Sequence, residues 1–365
     1  MFEALWFKSV SKKKRSAGEA IFFILLVFIS MFYSAGLLLR KLFYLTGIKK
    51  RARFNAKVIC AGNMTVGGTG KTPFIEEMAR RLLREEKSVL IVCKGYRREK
   101  KNAFDIVSDG TRILLKQRYA GDEAYMLARA VTKAKVIVAD DKLRGIREGI
   151  EIFRPDYVLL DDGFQKRGDM ADTNHVVLVD AINPAGFNRL FPAGMLREPF
   201  SEIKHADAVL LTNVNLVAPE KTEKIKEAIL RFNKNLKIFE SEHQPKLVYN
   251  VSTGEKFEPG FLNEKKAIVF SSIGSPAGFE RTLKNLGLHI LVGLRFKDHH
   301  RLSKNEMEAV MRLYDSTKAQ LIVTTEKDEV KISKKHITEN RIYALKIGML
   351  IKNVKELEKR IRVTQ

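Results

Sequence analysis

The chain has 365 residues, 45% of them hydrophobic and 30% charged; such proportions exclude a disordered or collagen-like chain and leave room for two to three domains of ~150 residues. Its 66 Lys and Arg against 43 Asp and Glu give a net charge of +23, which calls for a negatively charged partner without choosing among nucleic acid, anionic lipid and phosphorylated substrate. The two cysteines, Cys60 and Cys93, each sit in an apolar run, which excludes a disulfide framework or thiolate metal cluster and points to a reduced cytosolic compartment.

From Ala20 to Leu39, twenty residues pass without a charge, and a helix of that length spans the ~30 Å hydrocarbon core of a bilayer. Lys12, Lys13, Lys14 and Arg15 precede the run, and Arg40, Lys41, Lys49, Lys50, Arg51 and Arg53 follow it. It is too long for a cleavable signal peptide, and no small-residue cleavage site follows. Few buried helices of soluble proteins are apolar on every face. The segment reads as a membrane anchor, spanning once or entering one leaflet, with its cationic flanks against anionic lipid.

The apolar run Lys57–Ala61 leads into G-N-M-T-V-G-G-T-G-K-T-P, Gly62 to Pro73, and a helical pattern from about Thr72 to Glu86. Strand, glycine-rich turn and helix form the setting in which G-K-T binds phosphate. Glycines let the backbone wrap the phosphates closely, and the following helix adds its positive end. Thr65, Val66, Gly67, Gly68, Thr69, Gly70, Lys71 and Thr72 are therefore expected to hold ATP, Lys71 neutralising the β/γ-phosphates and the Thr72 hydroxyl ligating Mg²⁺. Thr65 stands where the usual pattern has glycine, and Val66 where partitioning and metal-delivery ATPases carry a signature lysine.

Beyond the loop, apolar runs at 88–92, 135–138, 157–160, 175–179 and 208–211 alternate with helical stretches. This pattern predicts an α/β fold with a largely parallel sheet, its chemistry at the carboxyl ends of the strands. Lys94-Gly95-Tyr96-Arg97-Arg98 is either a cationic contact for an acidic substrate or a solvated loop. In Gly121-Asp122-Glu123 the aspartate is either a helix N-cap or a general base, and spacing does not choose. Asp161-Asp162-Gly163-Phe164-Gln165 follows a strand as a Walker B acid does, although a plain turn reads the same. The loop Phe191–Pro199 carries Arg197 and Glu198, and Asp298-His299-His300 offers His299 as an orienting or acid/base group beside the option of a surface pair. Leu321–Val323 is expected to run into a helix capped within Thr324-Thr325-Glu326-Lys327-Asp328.

Taken in order, G-N-M-T-V-G-G-T-G-K-T-P, K-G-Y-R-R, G-D-E, D-D-G-F-Q, P-A-G-M-L-R-E-P, F-K-D-H and T-T-E-K-D resemble the tetraacyldisaccharide 4′-kinase family, the lipid A 4′-kinases of Gram-negative bacteria, over roughly residues 1 to 330. The resemblance implies a P-loop NTPase-like fold of two α/β lobes joined by a short β hinge, divided as an anchor and linker (1–55), a kinase core (56–240) and a smaller second lobe (241–365). It implies transfer of the ATP γ-phosphoryl group to the 4′-hydroxyl of a lipid A disaccharide 1-phosphate at the cytoplasmic face of the inner membrane. It further implies that Asp122 and His299 deprotonate the sugar hydroxyl, and that Asp161, Asp162, Gln165 and Glu198 line the Mg²⁺–ATP site, with Asp161 and Glu198 joining Thr72 around the metal. Where the family often has histidine after D-D-G-F-Q, this chain has Lys166, which stays outside the catalytic set. A membrane-associated ATPase switch of the partitioning or metal-delivery class is the alternative; Val66 and the lack of Cys-x-x-Cys argue against it. Nucleic acid is not expected as a partner, because no basic motif is interleaved with aromatics.

Overall fold

Ser16 and Glu19 open the first helix with a reciprocal cap: the Ser16 N–H donates to the Glu19 carboxylate at 3.1 Å and the Glu19 N–H to the Ser16 hydroxyl at 3.4 Å, filling two donors that a helix start leaves unpaired. The computed structural model describes residues 6, 9–10, 16–46, 51–95, 98–99, 102–297, 300–332 and 340–362. Lys12, Lys13, Lys14, Arg15, Lys49 and Lys50 of the basic flanks, Tyr96, Arg97, Asp298 and the candidate His299 lie outside the described residues.

The helix runs over Ala17–Leu45, and its stretch Ala17–Phe43 is long and apolar enough to cross a membrane, with a mean hydropathy of 2.5. One stripe docks on the protein. Leu26 packs with Val10 and Ala193, with Trp6, Phe22, Phe23 and Val27 around them. Ser30 Oγ donates to the Leu190 carbonyl at 3.1 Å and the Tyr33 hydroxyl to the Arg197 carbonyl at 2.7 Å. The other stripe, Ile21, Ile24, Leu25, Phe28, Met31, Phe32, Leu38 and Leu39, is more than half exposed, far more contiguous apolar surface than a water-facing helix carries.

Thirteen strands are present among the described residues: β1 (Lys57–Asn63), β2 (Val89–Cys93), β3 (Phe104–Asp109), β4 (Lys135–Ala139), β5 (Tyr157–Asp161), β6 (Thr173–Asp180), β7 (Ala208–Thr212), β8 (Lys237–Asn250), β9 (Lys256–Phe257), β10 (Lys266–Ser271), β11 (His289–Arg295), β12 (Leu321–Thr325) and β13 (Ile342–Ile351). The chain divides into two units, the first made of Met1–Lys71, Arg154–Glu242 and Ile351–Gln365, the second of Thr72–Phe153 and His243–Leu350.

In the first unit β1 lies between β5 and β6, β7 follows β6 and β8 follows β7, every pair parallel. Parallel strands are covered on both faces and read as unbroken apolar runs; Val58, Ile59, Cys60 and Ala61 are all buried. The helix Pro219–Leu230 closes one side, setting Ile225 and Ile229 among Val177, Val179, Val209 and Leu211. Because all the strands point one way, Asn63, Asp161, Asp180 and Thr212 end them along a single edge.

In the second unit β2 pairs with β4 in parallel and β3 with β4 antiparallel. A further parallel set runs in the order β11, β10, β12, β13. Alternation along β10 sends Ala267 and Val269 toward Phe279 and Leu283 of the helix Pro276–Asn285, and Ile268 and Phe270 toward Met307 and Val310 of the helix Lys304–Ser316, as a period of two requires. The architecture is a mostly parallel α/β fold, as the alternating runs predict. Cys60 and Cys93 are both buried.

Candidate active site

The phosphate loop leaves β1 at Asn63, whose side-chain amide donates to the carbonyls of Thr65 at 2.7 Å and Gly67 at 3.2 Å. Left-handed backbone within the loop falls at Gly67 (φ +115°) and Gly70 (φ +88°), which only glycine adopts without strain. Position 65 needs no such freedom, since Thr65 is extended and forms an antiparallel bridge with Leu196; threonine there is compatible with a working loop. The Val66 N–H donates to the Met195 carbonyl at 2.7 Å and the Arg197 N–H to the Met64 carbonyl at 2.8 Å, so the loop Phe191–Pro199 forms a wall of the phosphate loop. From β7, the Thr212 hydroxyl donates to the Thr69 carbonyl at 3.1 Å. Lys71 and Thr72 are the first two residues of the helix Lys71–Arg84.

Lys71 Nζ stands 3.6 Å from Asp162 Oδ1. Arg197 Nη1 donates to both oxygens of the same carboxylate, at 2.8 and 2.9 Å. Asp162 adopts φ +58°, a left-handed turn that aspartate tolerates better than most side chains. Asp161, the last residue of β5, is buried at 4% exposure. A side chain at Gly62 would come within 2.3 Å of Phe164 Cβ, so glycine there lets the Asp-Asp-Gly turn close against β1. Gln165 Nε2 donates to the Asn63 carbonyl at 2.8 Å and its own carbonyl accepts from Arg40 of the first helix. Glu198 is buried and pairs with Arg167, which also donates to Glu202. Burial raises the Glu202 carboxyl, but Lys41 and Arg167 outweigh that and hold it below its usual range. Nearby His175 is pushed down to about 4, by burial first and by the Arg167 charge second.

Lys71, Asp161, Asp162, Gln165, Glu198 and the loop Thr65–Gly70 thus belong to one unit, at one sheet edge. Sequence reasoning missed Arg197 and Arg167 as partners of Asp162 and Glu198, and Asn63 as the brace of the loop. A strand that ends on an amide immediately before a glycine turn is the signal that could have found Asn63. Among the described residues no three His, Cys, Asp or Glu side chains form a metal cage. Mg²⁺ in phosphoryl-transfer sites uses one or two carboxylates and completes its shell with phosphate and water, and Asp161 and Glu198, both of the first unit, are carboxylates of that kind.

Asp122 lies in the second unit. Gly121, with φ +82°, takes the N-cap position of the helix Asp122–Ala130 and no side chain caps it. The helix-cap reading of Asp122 is thereby excluded. Its carboxylate, buried at 8% exposure, accepts from Gln117 Nε2, and Arg301 donates to the other end of that amide. Lys331 Nζ is 3.9 Å from Asp122 Oδ2. His300 bonds Glu306 at 3.0 Å and so supports the Ser303–Glu306 capping box of the helix Lys304–Ser316. Arg98 is buried against Asp105 at 2.6 Å, which makes it a structural ion pair.

A family model described as tetraacyldisaccharide-1-P 4′-kinase (LpxK) matches residues 22–364. The chain belongs to that family. A tetraacyldisaccharide 4′-kinase of Elusimicrobium minutum (strain Pei191) is 36% identical over 330 residues, 89% of this chain and 87% of that one. One of Halothermothrix orenii is 31% identical over 94% of this chain and 93% of its own. Among solved structures, LpxK from Aquifex aeolicus, crystallised with ATP, superposes with a TM-score of 0.74 at 29% identity, covering 94% of this chain and all of that one. As an LpxK family member the chain is an ATP-dependent kinase of lipid A biosynthesis, acting on a lipid A precursor; the ATPase-switch alternative is set aside.

Proposed function

We propose that this kinase moves the γ-phosphoryl group of Mg²⁺–ATP onto the 4′-hydroxyl of a lipid A disaccharide 1-phosphate at the cytoplasmic face of the inner membrane. The observation that carries the reading is the Lys71–Asp162–Arg197 cluster at the mouth of a glycine phosphate loop in a chain of this family. Asp122 and His299 take the proton from the sugar hydroxyl, whose oxygen bonds to the γ-phosphorus as the bridging oxygen leaves with ADP. Within Thr65–Gly70 the backbone donors other than the Val66 N–H, which Met195 holds, serve the phosphates, and Lys71 neutralises the charge that develops on the β/γ-oxygens. Asp162 and Gln165 hold the nucleotide's surroundings, Asp162 by fixing Lys71 and Gln165 by bracing β1. Thr72, Asp161 and Glu198 would hold Mg²⁺, which neutralises phosphate charge when bound. Incubating the protein with γ-labelled ATP and a disaccharide 1-phosphate lipid should place the label on the lipid; lipid-independent release of labelled phosphate with no labelled lipid would overturn the reading.

The acceptor's acyl chains hold it in the bilayer, at about 0.8 kcal/mol for each buried CH₂, so the enzyme must come to the membrane. The exposed apolar stripe of Ala17–Leu45 and the cations Arg40, Lys41, Arg51 and Arg53 suit an anionic lipid surface rather than nucleic acid. Deleting residues 1–40 is expected to shift the protein from the membrane pellet to the supernatant in sedimentation. Continued pelleting would place the anchor elsewhere.

A further inference from the structure

Lys331 is a lysine the fold has chosen to bury: the side chain is 1% exposed, and an ammonium taken out of water costs several kcal/mol unless its partners are well placed. An ammonium has three donors. One goes to Asp328 Oδ1 at 2.9 Å and one to Ser272 Oγ at 2.8 Å. Asp328 has little capacity left, because it also accepts from the Ser272 hydroxyl, from the Ser272 N–H at 2.9 Å and from the Thr325 hydroxyl at 2.7 Å. It is a bracket anchored to the ends of β10 and β12. The third lies toward the Ser272 carbonyl at 3.5 Å, and the ammonium as a whole stands 3.9 Å from Asp122 Oδ2, a charge contact rather than a hydrogen bond. The other Asp122 oxygen is held by Gln117.

We propose that Lys331 is a positioning residue for Asp122, clamped by Asp328 and Ser272 so that its charge orients one carboxylate oxygen while Gln117 orients the other. The inference rests on the reading of Asp122 as the group that takes the substrate proton. Among the described residues, Lys331 with its partner Asp328, from the segment after β12, and Arg301, acting through Gln117, bring charge to this carboxylate; the neighbouring Glu123 is paired with Lys327 at 3.8 Å, and His299 lies outside the described residues. An opposite charge at this range favours the ionised carboxylate, and a base held in one orientation meets the hydroxyl in the productive geometry.

The test compares kcat, KM for ATP and the pH dependence of kcat in Lys331→Met, Lys331→Arg, Asp122→Asn and the Asp122→Asn/Lys331→Met double variant. Lys331→Met is expected to lower kcat by about 10- to 100-fold, leave KM for ATP within about twofold, and move the acid limb of the profile to higher pH as Asp122 loses its cation. Lys331→Arg keeps the charge and should return the limb to its original position. In the Asp122→Asn background, adding Lys331→Met should lower the residual rate no further, because a residue that acts through Asp122 has nothing left to act on. An unmoved acid limb in Lys331→Met, or an equal loss in both backgrounds, overturns the inference. Wild-type kcat in Asp122→Asn overturns instead the reading beneath it. Should Lys331→Met fail to fold, Ser272→Ala loosens the ammonium without stranding a buried charge; it is expected to move the limb the same way by a smaller amount, and no movement there overturns the inference as well.

Discussion

Lys71→Ala is expected to lower kcat by about 10³-fold or more while the protein keeps its fold. The lysine is the charge of the phosphate loop, and phosphoryl transfer asks the protein for little beyond placement and charge compensation. Alanine leaves the two glycine turns and the Asn63 brace untouched. Asp162 does not become a stranded charge, because Arg197 still donates to both of its oxygens. The thermal unfolding midpoint should therefore stay near that of the wild type as turnover disappears. Single-turnover measurements with labelled ATP and the disaccharide acceptor check this, and a rate within about tenfold of wild type would refute the assignment of the loop.

Asp122→Asn is expected to reduce kcat by about 10²- to 10⁴-fold, the range ascribed to a positioned general base, with KM for ATP nearly unchanged. The amide is close in shape to the carboxylate, and Lys331 keeps Asp328 as its partner at 2.9 Å, so the site should survive the exchange. What is lost is the ability to accept a proton, and the acid limb of the kcat–pH profile should vanish with it. Steady-state kinetics across pH with the lipid acceptor distinguish this from a structural defect; a preserved limb would remove Asp122 from the chemistry.

Features whose cause is local were legible in the sequence. The glycine-rich turn lies where the motif puts it, and Gly67 and Gly70 take left-handed backbone within it. The apolar run ending at Asp161 announces a buried parallel strand with an acid at its carboxyl end. Asp122 was ambiguous because a cap and a base share the same motif; the placement of Gly121 in the cap position removes the first of these readings. The partners of Arg197, Arg167 and Lys331 escaped notice for one physical reason. The meaning of each cation lies in a carboxylate brought close by the fold, and a lone Arg or Lys in a chain with 66 of them carries no mark of its partner. Thr65 departs from the pattern without consequence for the backbone, since the pattern asks for glycine where the chain is extended beside Leu196.

Arg40, near the end of the first helix, donates to the carbonyl of Gln165, and the Gln165 side chain donates to the carbonyl of Asn63, whose amide in turn shapes the glycine turn. Three links therefore tie the long apolar helix to the nucleotide cradle, so that a shift of the helix at Arg40 reaches the glycine turn through Gln165 and Asn63.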